Sequence, residues 1–265
     1  MGNYYSAPTK VQPVRQFKWK RDTIDGRDLV HNFTVSKLQS TVKCVDLRDK
    51  CPPIYDQGTL GSCTANAIAA AYEFDQIKEQ EQDVFTPSRL FIYYNEREYE
   101  GTVSEDSGAQ IRDGIKSINS IGVCPETLWP YDQTKFTTEP TEDCYNDAKG
   151  HLAVEYKKVD QTLDQLKQAL IEGFPIVFGI VCYPSLQSDE VYKTGIVPMP
   201  KPDEQSIGGH AILLCGFQDD KSQFIFRNSW GNEFGDQGYG YIPYDYVTDP
   251  KLASDFWTVR RTNDK

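Results

Sequence analysis

The chain has 265 residues, of which 28 are Lys or Arg and 39 are Asp or Glu, so its formal net charge is −11. This acidic balance argues against a nucleic-acid or anionic-membrane partner, because attraction to phosphate requires a basic patch. Hydrophobic residues make up 38% of the chain, and the longest apolar run, Phe174 to Tyr183, is far shorter than a bilayer span. We therefore expect a soluble globular protein with one large domain or two small lobes.

Residues 1 to about 40 differ in character from the rest of the chain. They carry few periodic apolar positions, and their bulkiest hydrophobic residues are the aromatic Phe17, Trp19 and Phe33. A segment of this kind cannot bury a core of its own. We expect an extended N-terminal arm that docks on the remaining chain.

The N-terminus has no apolar leader, so we expect no secretory signal and a cytoplasmic location or, for a viral protein, a virion-associated one. Gly2 followed by Ser6 fits a short myristoylation pattern that also recurs by chance. Membrane contact is expected only if Gly2 is acylated. We expect a monomer.

Helical patterns dominate as far as about residue 150. Residues 64–74 contain so few polar positions that a helix there would be buried on all sides. A second predicted helix has Thr86 as its N-cap and Pro87 at its first position. A third places apolar residues on one stripe within 111–118 and stops at Gly122.

Strand patterns dominate after about residue 150. A capping box at Thr162 opens a helix that ends at Gly173. Strand-like runs then follow at 175–182, 210–217, 223–227, 239–242 and 256–259. The Pro-rich loop at 184–209 is long enough to predict a covering or functional role. Helices first and strands second predict an α+β protein whose two lobes meet at a face.

The chain has seven cysteines, and an odd count leaves at least one thiol unpaired. Without a secretory signal we expect mostly reduced thiols. No C-x-x-C occurs and no His has zinc-ligand spacing, so we expect neither a metal nor an organic cofactor. The acidic run from Glu96 to Glu105 is interpreted as a solvated helix end rather than as catalytic carboxylates.

Three separated elements contain residues that could support chemistry. The first runs from Gln57 through a Gly-rich turn to Cys63 at the start of the buried helix. The second is a Gly-Gly-His-Ala stretch that places His210 at the start of a strand. The third is an Asn-Ser-Trp-Gly stretch that begins with Asn228, after the next strand.

These residue types fit nucleophilic catalysis by a thiol. A thiol attacks a carbonyl only as thiolate, which a helix N-terminus stabilises. An imidazole can take the thiol proton and pass it to a leaving amine, and an amide that accepts from the other ring nitrogen fixes the ring. A second amide beside the nucleophile can hold the oxyanion together with the nucleophile's own N–H. Gln57, Cys63, His210 and Asn228 are the residue types that this chemistry requires.

In this order, the elements resemble the papain-like cysteine peptidases. The signature of that family is C-G-[SA]-C-[WY], with His and Asn roughly 130 to 150 residues downstream. His210 falls within that range after Cys63, and Asn228 falls slightly beyond it. The resemblance extends from the Val-Asp-Leu-Arg stretch at 45–48, which resembles the start of a mature enzyme, to the C-terminus.

Two positions depart from the plant and lysosomal members. Leu60 stands where they have a disulfide-forming Cys, and Thr64 stands where they have an aromatic residue. The Gly-Ser-Cys-Thr-Ala-Asn-Ala stretch around Cys63 resembles the bacterial and viral branch typified by xylellain, as does the arm segment 19–28. Leu60 puts the disulfide framework in doubt, not the chemistry.

The resemblance implies a role for each matching residue. Gln57 would supply the oxyanion-hole side chain, Cys63 the nucleophile, His210 the acid/base and Asn228 its orienter, while Trp230 would shield the Asn–His bond. Further substrate contacts are implied at Gly61, Ser62, Ser107, Gly108, Gly179, Gly208, Gly209 and Ala211, together with Trp230. Small residues at 179, 208 and 211 would leave the main specificity pocket roomy. We therefore expect a bulky apolar or aromatic substrate residue just upstream of the cleaved pair.

The implied fold is a papain-like two-lobe α+β fold, with the active site between a helical lobe at about 41–150 and a β-rich lobe at about 151–265. Residues 1–40 would be an extension that lies across or beside the cleft as an inhibitory arm. The implied activity is that of a thiol endopeptidase acting on peptides or proteins. A catalytically silent binding module of the same fold and a peptide ligase are the alternatives, and the intact set of four residues argues against the first.

Overall fold

The structure of the protein is a computed structural model, and it describes residues 14–31, 33, 41–153 and 155–260. Its α-helices are α1 Cys63–Lys78, α2 Arg89–Tyr99, α3 Ile111–Ser120, α4 Glu142–Ala148, α5 Leu163–Ile171, α6 Asp189–Thr194 and α7 Tyr244–Thr248. Its β-strands are β1 Val30–His31, β2 Cys44–Asp46, β3 Glu155–Val159, β4 Ile176–Cys182, β5 Gly208–Gln218, β6 Gln223–Arg227, β7 Tyr239–Pro243 and β8 Ala253–Arg260. The myristoylation pattern at Gly2 lies outside the described residues.

The strands form one sheet in the order β1-β3-β8-β4-β5-β6-β7, and β2 pairs separately with β5. The β1–β3 pair is parallel, and the other pairs are antiparallel. The register of β4 with β5 puts Gly179 opposite Ala211 and Ile180 opposite His210. Two residues that the sequence analysis assigns to one pocket therefore lie side by side.

Helix α1 is the wall between the two lobes. Every residue from Cys63 to Gln76 is buried, which confirms the prediction of a helix buried on all sides. The helix contacts α2 and α3 on one side and β5 and β8 on the other. Its many alanines allow these neighbours to approach closely, because their side chains add little bulk.

The second helix begins later than the sequence predicts. Ser88, not Thr86, is the N-cap, and its Oγ accepts a hydrogen bond from a backbone N–H of the first turn at 3.1 Å. The Ser88 N–H itself donates to the Cys124 carbonyl at 2.8 Å. This pairing holds the segment extended, so Pro87 precedes the helix instead of starting it.

Buried apolar side chains form two clusters, one around α1, α2 and α3 and one around the sheet and α5. The α+β architecture with two lobes is confirmed. Strand β2 precedes the helices in sequence yet pairs with β5, with Val45 opposite Phe217. Residues 44–46 therefore belong to the β lobe. No helix among the described residues is long and apolar enough to cross a bilayer.

The N-terminal arm runs through the groove between the lobes. The Trp19 N–H donates to the Gly209 carbonyl at 2.9 Å, and the Lys20 N–H donates to the Ala109 carbonyl at 3.1 Å. Consecutive arm residues thus bond to the β lobe and to the helical lobe. Further along, β1 joins the edge of the sheet beside β3.

Candidate active site

Cys63 is the first residue of α1, and its side chain is fully buried. The backbone N–H groups of a first helical turn have no partners within the helix, and the positive end of the helix dipole lies at the same place. The preceding turn includes Gly58, whose φ of 62° favours glycine. This turn brings the thiol to the wall of the groove.

His210 lies at the start of β5, the strand that packs against α1. Its Nε2 is 2.9 Å from Asn228 Oδ1. Its Nδ1 is buried and has no hydrogen-bond partner in the described part of the chain. The backbone N–H of the next residue, Ala211, lies close enough to the Cys63 sulfur to lower the pKa of the thiol. The unpartnered Nδ1 of His210 is therefore on the same stretch of β5 that contacts the Cys63 thiol through Ala211.

Asn228 and Trp230 hold the His210 ring. The Ser229 N–H donates to Asn228 Oδ1 at 2.8 Å, which fixes the amide with its oxygen toward the ring. The indole of Trp230 stacks on the imidazole with ring centroids 5.0 Å apart. Trp230 is 4% exposed, so it screens the His210–Asn228 hydrogen bond from water.

Gln57 is fully buried next to the nucleophile's turn. Its Nε2 donates to the Leu60 carbonyl at 3.0 Å, and its Oε1 accepts from Ser229 Oγ at 2.6 Å. A primary amide carries two N–H donors, so this arrangement leaves one for a substrate oxygen. The oxygen end of the amide is held by the same segment that carries Asn228.

Burial favours the neutral forms of both titrating groups. It raises the pKa of the Cys63 thiol to about 11, while the Ala211 N–H acts in the opposite direction. Burial lowers the pKa of His210 to about 4, while the hydrogen bond from its ring to Asn228 Oδ1 acts in the opposite direction. With the arm in the groove, the pair is therefore a thiol and a neutral imidazole at neutral pH.

The predicted specificity pocket is filled by the side chain of Trp19. A Cβ atom added to Gly179 would lie 1.9 Å from the indole, and one added to Gly209 would lie 2.4 Å from it. Trp19 itself is 6% exposed. The glycines thus create the space that this aromatic ring occupies.

Lys18 lies over the nucleophile. Its backbone N–H lies close enough to the Cys63 sulfur to lower the pKa of the thiol. A Cβ atom on Gly61 would lie 2.5 Å from Lys18 Cδ, and one on Gly108 would lie 1.8 Å from the Lys18 carbonyl oxygen. Both glycines are predicted substrate contacts, and the arm covers both.

Phe17 lies on the other side of the nucleophile. Its ring meets His210 edge-on at a centroid distance of 6.1 Å and Trp230 at 6.0 Å. Its carbonyl oxygen would lie 2.3 Å from a Cβ atom on Gly208. Arg15 follows along the groove and forms an ion pair of 2.6 Å with Asp56.

The other predicted contact residues, Ser62, Ser107 and Ala211, lie in three different environments. Ser62 is fully buried and its Oγ lies 2.5 Å from the Tyr131 hydroxyl, so its side chain is at the base of α1 rather than in the groove. Ser107 lines the groove and donates to the Gly108 carbonyl at 2.9 Å. The backbone N–H of Ala211 faces the Cys63 sulfur and lowers the pKa of that thiol.

Sequence reasoning missed two acidic residues. Glu96 is fully buried and accepts a hydrogen bond from Thr64 Oγ1 at 2.5 Å, so the interpretation of a solvated helix end is wrong for this residue. Burial raises the pKa of Glu96 well above its ordinary value. The unusual Thr64 beside the nucleophile was the available signal. Asp106, next to Ser107, accepts a hydrogen bond from Lys18 Nζ at 2.8 Å.

A buried helix-borne thiol opposite an amide-held imidazole, on the wall between a helical and a β lobe, is the arrangement of a cysteine-type peptidase. The sequence comparison agrees with this class. Residues 41–256 match the model of the papain family of cysteine proteases, and the chain belongs to that family.

Two individual relatives show which branch of the family the chain is similar to. The crystal structure of xylellain, a cysteine protease from Xylella fastidiosa, is 39% identical with a TM-score of 0.86, and the match covers 97% of this chain and 100% of that one. An uncharacterised peptidase C1-like protein of Acanthamoeba polyphaga mimivirus is 53% identical over 217 residues, which are 79% of this chain and 70% of the viral protein. The predicted resemblance to the xylellain branch is confirmed.

Mouse cathepsin S is more distant. It is 28% identical over 206 residues, which are 74% of this chain and 56% of the cathepsin. The chain therefore spans little more than half the length of this relative. A procathepsin L 3 of Tenebrio molitor, 18% identical with a TM-score of 0.69 over 88% of this chain and 74% of that one, shares the fold.

Proposed function

We propose that the protein is a thiol endopeptidase in which Cys63 and His210 hydrolyse peptide bonds through an acyl-enzyme. The placement of His210 carries the proposal. Asn228 holds one ring nitrogen at 2.9 Å, while the other is buried without a partner among the described residues. A ring fixed on one side and open on the other fits proton exchange with the nearby thiol.

The residues suit each step of the reaction. His210 Nδ1 takes the Cys63 proton, and the thiolate attacks the substrate carbonyl carbon. The oxygen becomes an oxyanion that the Cys63 N–H and Gln57 Nε2–H stabilise. His210 then donates that proton to the leaving nitrogen, and the C–N bond breaks to leave a thioester. Water attacks the thioester, His210 accepts its proton, and collapse releases the acid and returns the proton to the thiol.

Two other functions would use the same fold. A peptide ligase would differ only in the last step, where an amine would attack the thioester in place of water. A silent binding module would have no chemical need for Gln57, Cys63, His210 and Asn228 together. The hydrogen bonds that orient Gln57 and His210 favour an enzyme.

The arm crosses the cleft in the direction opposite to a substrate. Because His210 protonates the leaving amine, the substrate segment that follows the cleaved bond lies beside His210 and Trp230. In the arm, the residue on that side is Phe17, which precedes Lys18 in sequence. The arm therefore runs backwards through the cleft.

This direction explains how the arm fills the site without reacting. Lys18 presents its N–H, not its carbonyl carbon, to the Cys63 sulfur. A tethered segment has a high effective concentration, so it competes well with free peptides. We accordingly assign residues 1–40 to an inhibitory extension and 41–265 to the peptidase domain, with lobes at about 41–150 and 151–265 apart from β2.

The test uses the full-length chain with Lys18→Ala and Trp19→Ala, hereafter the opened chain, which lacks the two side chains that fill the cleft. We expect it to hydrolyse peptides with an aromatic residue upstream of the cleaved pair. An epoxide inhibitor of thiol proteases should modify Cys63, located by mass spectrometry of the digested protein. The same chain with Cys63→Ala should remain folded and do neither.

The alternatives give different results in the same experiment. If an added amine nucleophile is incorporated into the product in place of water, the ligase is favoured. If the folded opened chain yields no product and takes up no label, the site is silent and the proposal fails.

A further inference from the structure

Arg89 is a buried cation that the hydrolytic mechanism does not use. It is the first residue of α2, and its side chain is 10% exposed. Its Nε and Nη2 donate to the two carboxylate oxygens of Glu126 at 2.8 and 2.7 Å. Its Cζ lies 4.7 Å from the ring centroid of Tyr55 and 4.1 Å from that of Tyr131. The ion pair and the two rings compensate the buried charge and leave Nη1 available for other acceptors.

Arg89 Nη1 connects two segments on either side of the glycine-rich turn. It donates to the backbone carbonyl of Asp56 at 3.3 Å and to Asn66 Oδ1 at 3.1 Å. Asp56 directly precedes Gln57, and Asn66 lies in the first turn of α1, which begins at Cys63. One nitrogen atom thus joins the segment that carries Gln57 to the helix that carries Cys63.

The other end of the Asn66 amide continues this connection. Asn66 Nδ2 donates to the Ser62 carbonyl at 2.9 Å and to Ser62 Oγ at 3.1 Å. Ser62 Oγ lies 2.5 Å from the Tyr131 hydroxyl, which itself donates to the Gln57 carbonyl at 3.0 Å. Because the single proton of the Tyr131 hydroxyl points to Gln57, the Ser62 hydroxyl is the donor between those two oxygens. The hydrogen bonds therefore run in one direction, from Arg89 to the backbone of Gln57.

This network orients both of the N–H groups that we propose for the oxyanion. The Cys63 N–H and the Ser62 carbonyl belong to one planar peptide unit, so the bond from Asn66 to that carbonyl also directs the N–H. Gln57 is held through its own carbonyl by Tyr131 and through the preceding carbonyl by Arg89. The buried guanidinium therefore determines how far apart the two donors lie.

We propose that Arg89 is a positioning residue that sets the separation of the Gln57 amide and the Cys63 N–H. This inference rests on the proposed function, because those two groups stabilise the oxyanion of that reaction. Donors of this kind act only when they are already in place, and a misplacement of about 1 Å can cost ~10²-fold in rate. Arg89 acts through Asn66 and Asp56, not on the substrate.

The geometry requires a guanidinium rather than any cation. The N–H groups of arginine form a rigid fork, in which Nε and Nη2 bind Glu126 while Nη1 serves Asn66 and Asp56. The ammonium of a lysine is a point charge on a flexible stem, so it can keep the ion pair but not the fixed bonds of Nη1. Arg89→Lys therefore separates the charge from the geometry.

The first experiment compares Arg89→Lys with its parent, the opened chain, in three reactions of Cys63. Peptide hydrolysis and inhibition by a peptide aldehyde both place an oxygen between the two donors, because the aldehyde forms a hemithioacetal with the thiol. Reaction with 2,2′-dipyridyl disulfide reports the thiol and imidazole alone, because this reagent has no carbonyl. Its rate is corrected with the Cys63→Ala variant of each chain.

We expect Arg89→Lys to lower kcat by about 10-fold or more at little change in KM, and to weaken the aldehyde by a similar factor. The rate of reaction with the disulfide, and its pH profile, should stay those of the parent. Asn66→Asp, which still accepts from Arg89 but cannot donate to Ser62, should reproduce this selective loss. It provides the test if Arg89→Lys does not fold.

The matched control is Glu126→Gln, which removes the charge paired with the same guanidinium but not the acceptors of Nη1. It should keep the aldehyde affinity of the parent. A double-mutant cycle gives a further check, since Arg89→Lys should weaken the aldehyde less in a Gln57→Ala chain than in the parent. If Arg89→Lys leaves aldehyde affinity unchanged, or slows the disulfide reaction as strongly, the proposal is overturned.

The same measurements separate this inference from the proposed function. If the opened chain hydrolyses no peptide but binds the aldehyde, and Arg89→Lys weakens that binding selectively, the hydrolytic function fails and the role of Arg89 stands. If the opened chain hydrolyses peptides and Arg89→Lys binds the aldehyde as tightly as the parent, the role of Arg89 fails and the function stands. Neither hydrolysis nor aldehyde binding by the folded opened chain overturns both.

Discussion

The indole of Trp230 lies against the imidazole of His210, with the two ring planes inclined by 27°. Asn228 Oδ1 lies 2.9 Å from Nε2 of the same ring. Nδ1 is left for the thiol. Orientation and proton transfer are thus assigned to opposite nitrogens of one side chain, so they can be separated by substitution.

We expect Asn228→Ala to reduce kcat/KM less than His210→Ala does, with both changes made in the opened chain. Loss of the proton-transferring group should cost about 10²–10⁴-fold. Loss of Asn228 leaves the imidazole present but free to rotate, so a part of the activity should remain. Peptide hydrolysis is measured for both variants after circular dichroism has verified the fold. Equal losses, or a larger loss for Asn228→Ala, would contradict these roles.

In the full-length chain, Trp19→Ala alone should increase hydrolysis of a small peptide. Removing a buried tryptophan from its pocket should weaken arm docking by about 3 kcal/mol, or ~100-fold. The matched control is Ile24→Ala, because Ile24 belongs to the same arm but is 97% exposed. Initial rates of the two variants and the parent chain are compared. An unchanged rate in the Trp19 variant would mean that the arm does not block the cleft.

The residues that we propose as catalytic could be picked out from the sequence because each lies in a short local motif. Cys63 follows a glycine-rich turn at a helix start, and Asn228 begins a motif directly after a strand. The turn and the strand end fix these side chains with few long-range contacts. The family resemblance also predicted a roomy pocket bordered by small residues at 179, 208 and 211, and the Trp19 indole lies against Gly179.

The contact of Asp106 with the arm could not be predicted in the same way. Nothing local distinguishes an acid that faces the cleft from one that faces solvent, and its partners Gly61 and Lys18 are distant in sequence. Glu96 was misread because helix α2 is packed on α1 and α3, which buries a position that its charge would place outside. Strand β2 has only three residues, too few for a periodic pattern.

Glu96→Gln should preserve stability, whereas Glu96→Ala should not. Burial raises the pKa of Glu96 well above its ordinary value, so the group is a neutral hydrogen-bond partner of Thr64. Glutamine keeps this shape and polarity, and we expect the free energy of unfolding to change by less than about 1 kcal/mol. Alanine leaves a cavity and an unpaired hydroxyl, which should cost about 2–4 kcal/mol.

The pH dependence provides the check on this interpretation. A carboxyl whose pKa is raised in the folded state stabilises the fold through its proton. For Glu96 this stabilisation is complete below the ordinary pKa of 4.5 and is lost as pH rises through the raised pKa. Urea unfolding at increasing pH should therefore show the Glu96→Gln variant gaining stability relative to the parent chain. A relative loss would indicate that Glu96 is ionised in the folded protein.

A second carboxyl with a raised pKa, that of the half-buried Asp22, lies where the arm meets α3 and β8. It accepts from the Arg112 N–H at 3.1 Å and the Trp257 indole N–H at 2.8 Å, and its own N–H donates to Asp255 Oδ2 at 2.8 Å. Burial, followed by the charge of Asp255, raises the pKa of Asp22 to about 7, although Arg112 and Trp257 act in the opposite direction. Docking therefore places two carboxyls together.

The neighbouring cationic side chains do not cancel the rise in pKa of Asp22 and Asp255. The Arg112 guanidinium forms an ion pair with Asp28 at 2.6 Å, so its charge does not act on Asp22 alone. Lys158 and Arg21 act on Asp255 and lower its pKa, but burial outweighs them and raises it. The two carboxyls titrate as a pair, and a proton on the pair stabilises the docked arm.

We therefore expect the full-length chain to be relieved of inhibition as pH rises. The proton on Asp22 stabilises arm docking fully below 3.8, the ordinary pKa of an aspartate. This stabilisation decreases as pH rises and is lost above the raised pKa of about 7. The measurement is the rate of peptide hydrolysis by the full-length chain divided by that of the opened chain, which cancels the titration of the catalytic groups. The ratio should increase between about pH 4 and 7.

Asp22→Asn, which is neutral at every pH, should flatten this increase and keep the arm docked at neutral pH. Asp25→Asn is the control, because Arg27 holds the pKa of Asp25 well below its usual range, outside this window. A ratio that falls with pH, or that rises equally in the Asp22→Asn variant, would exclude Asp22 as the titrating group.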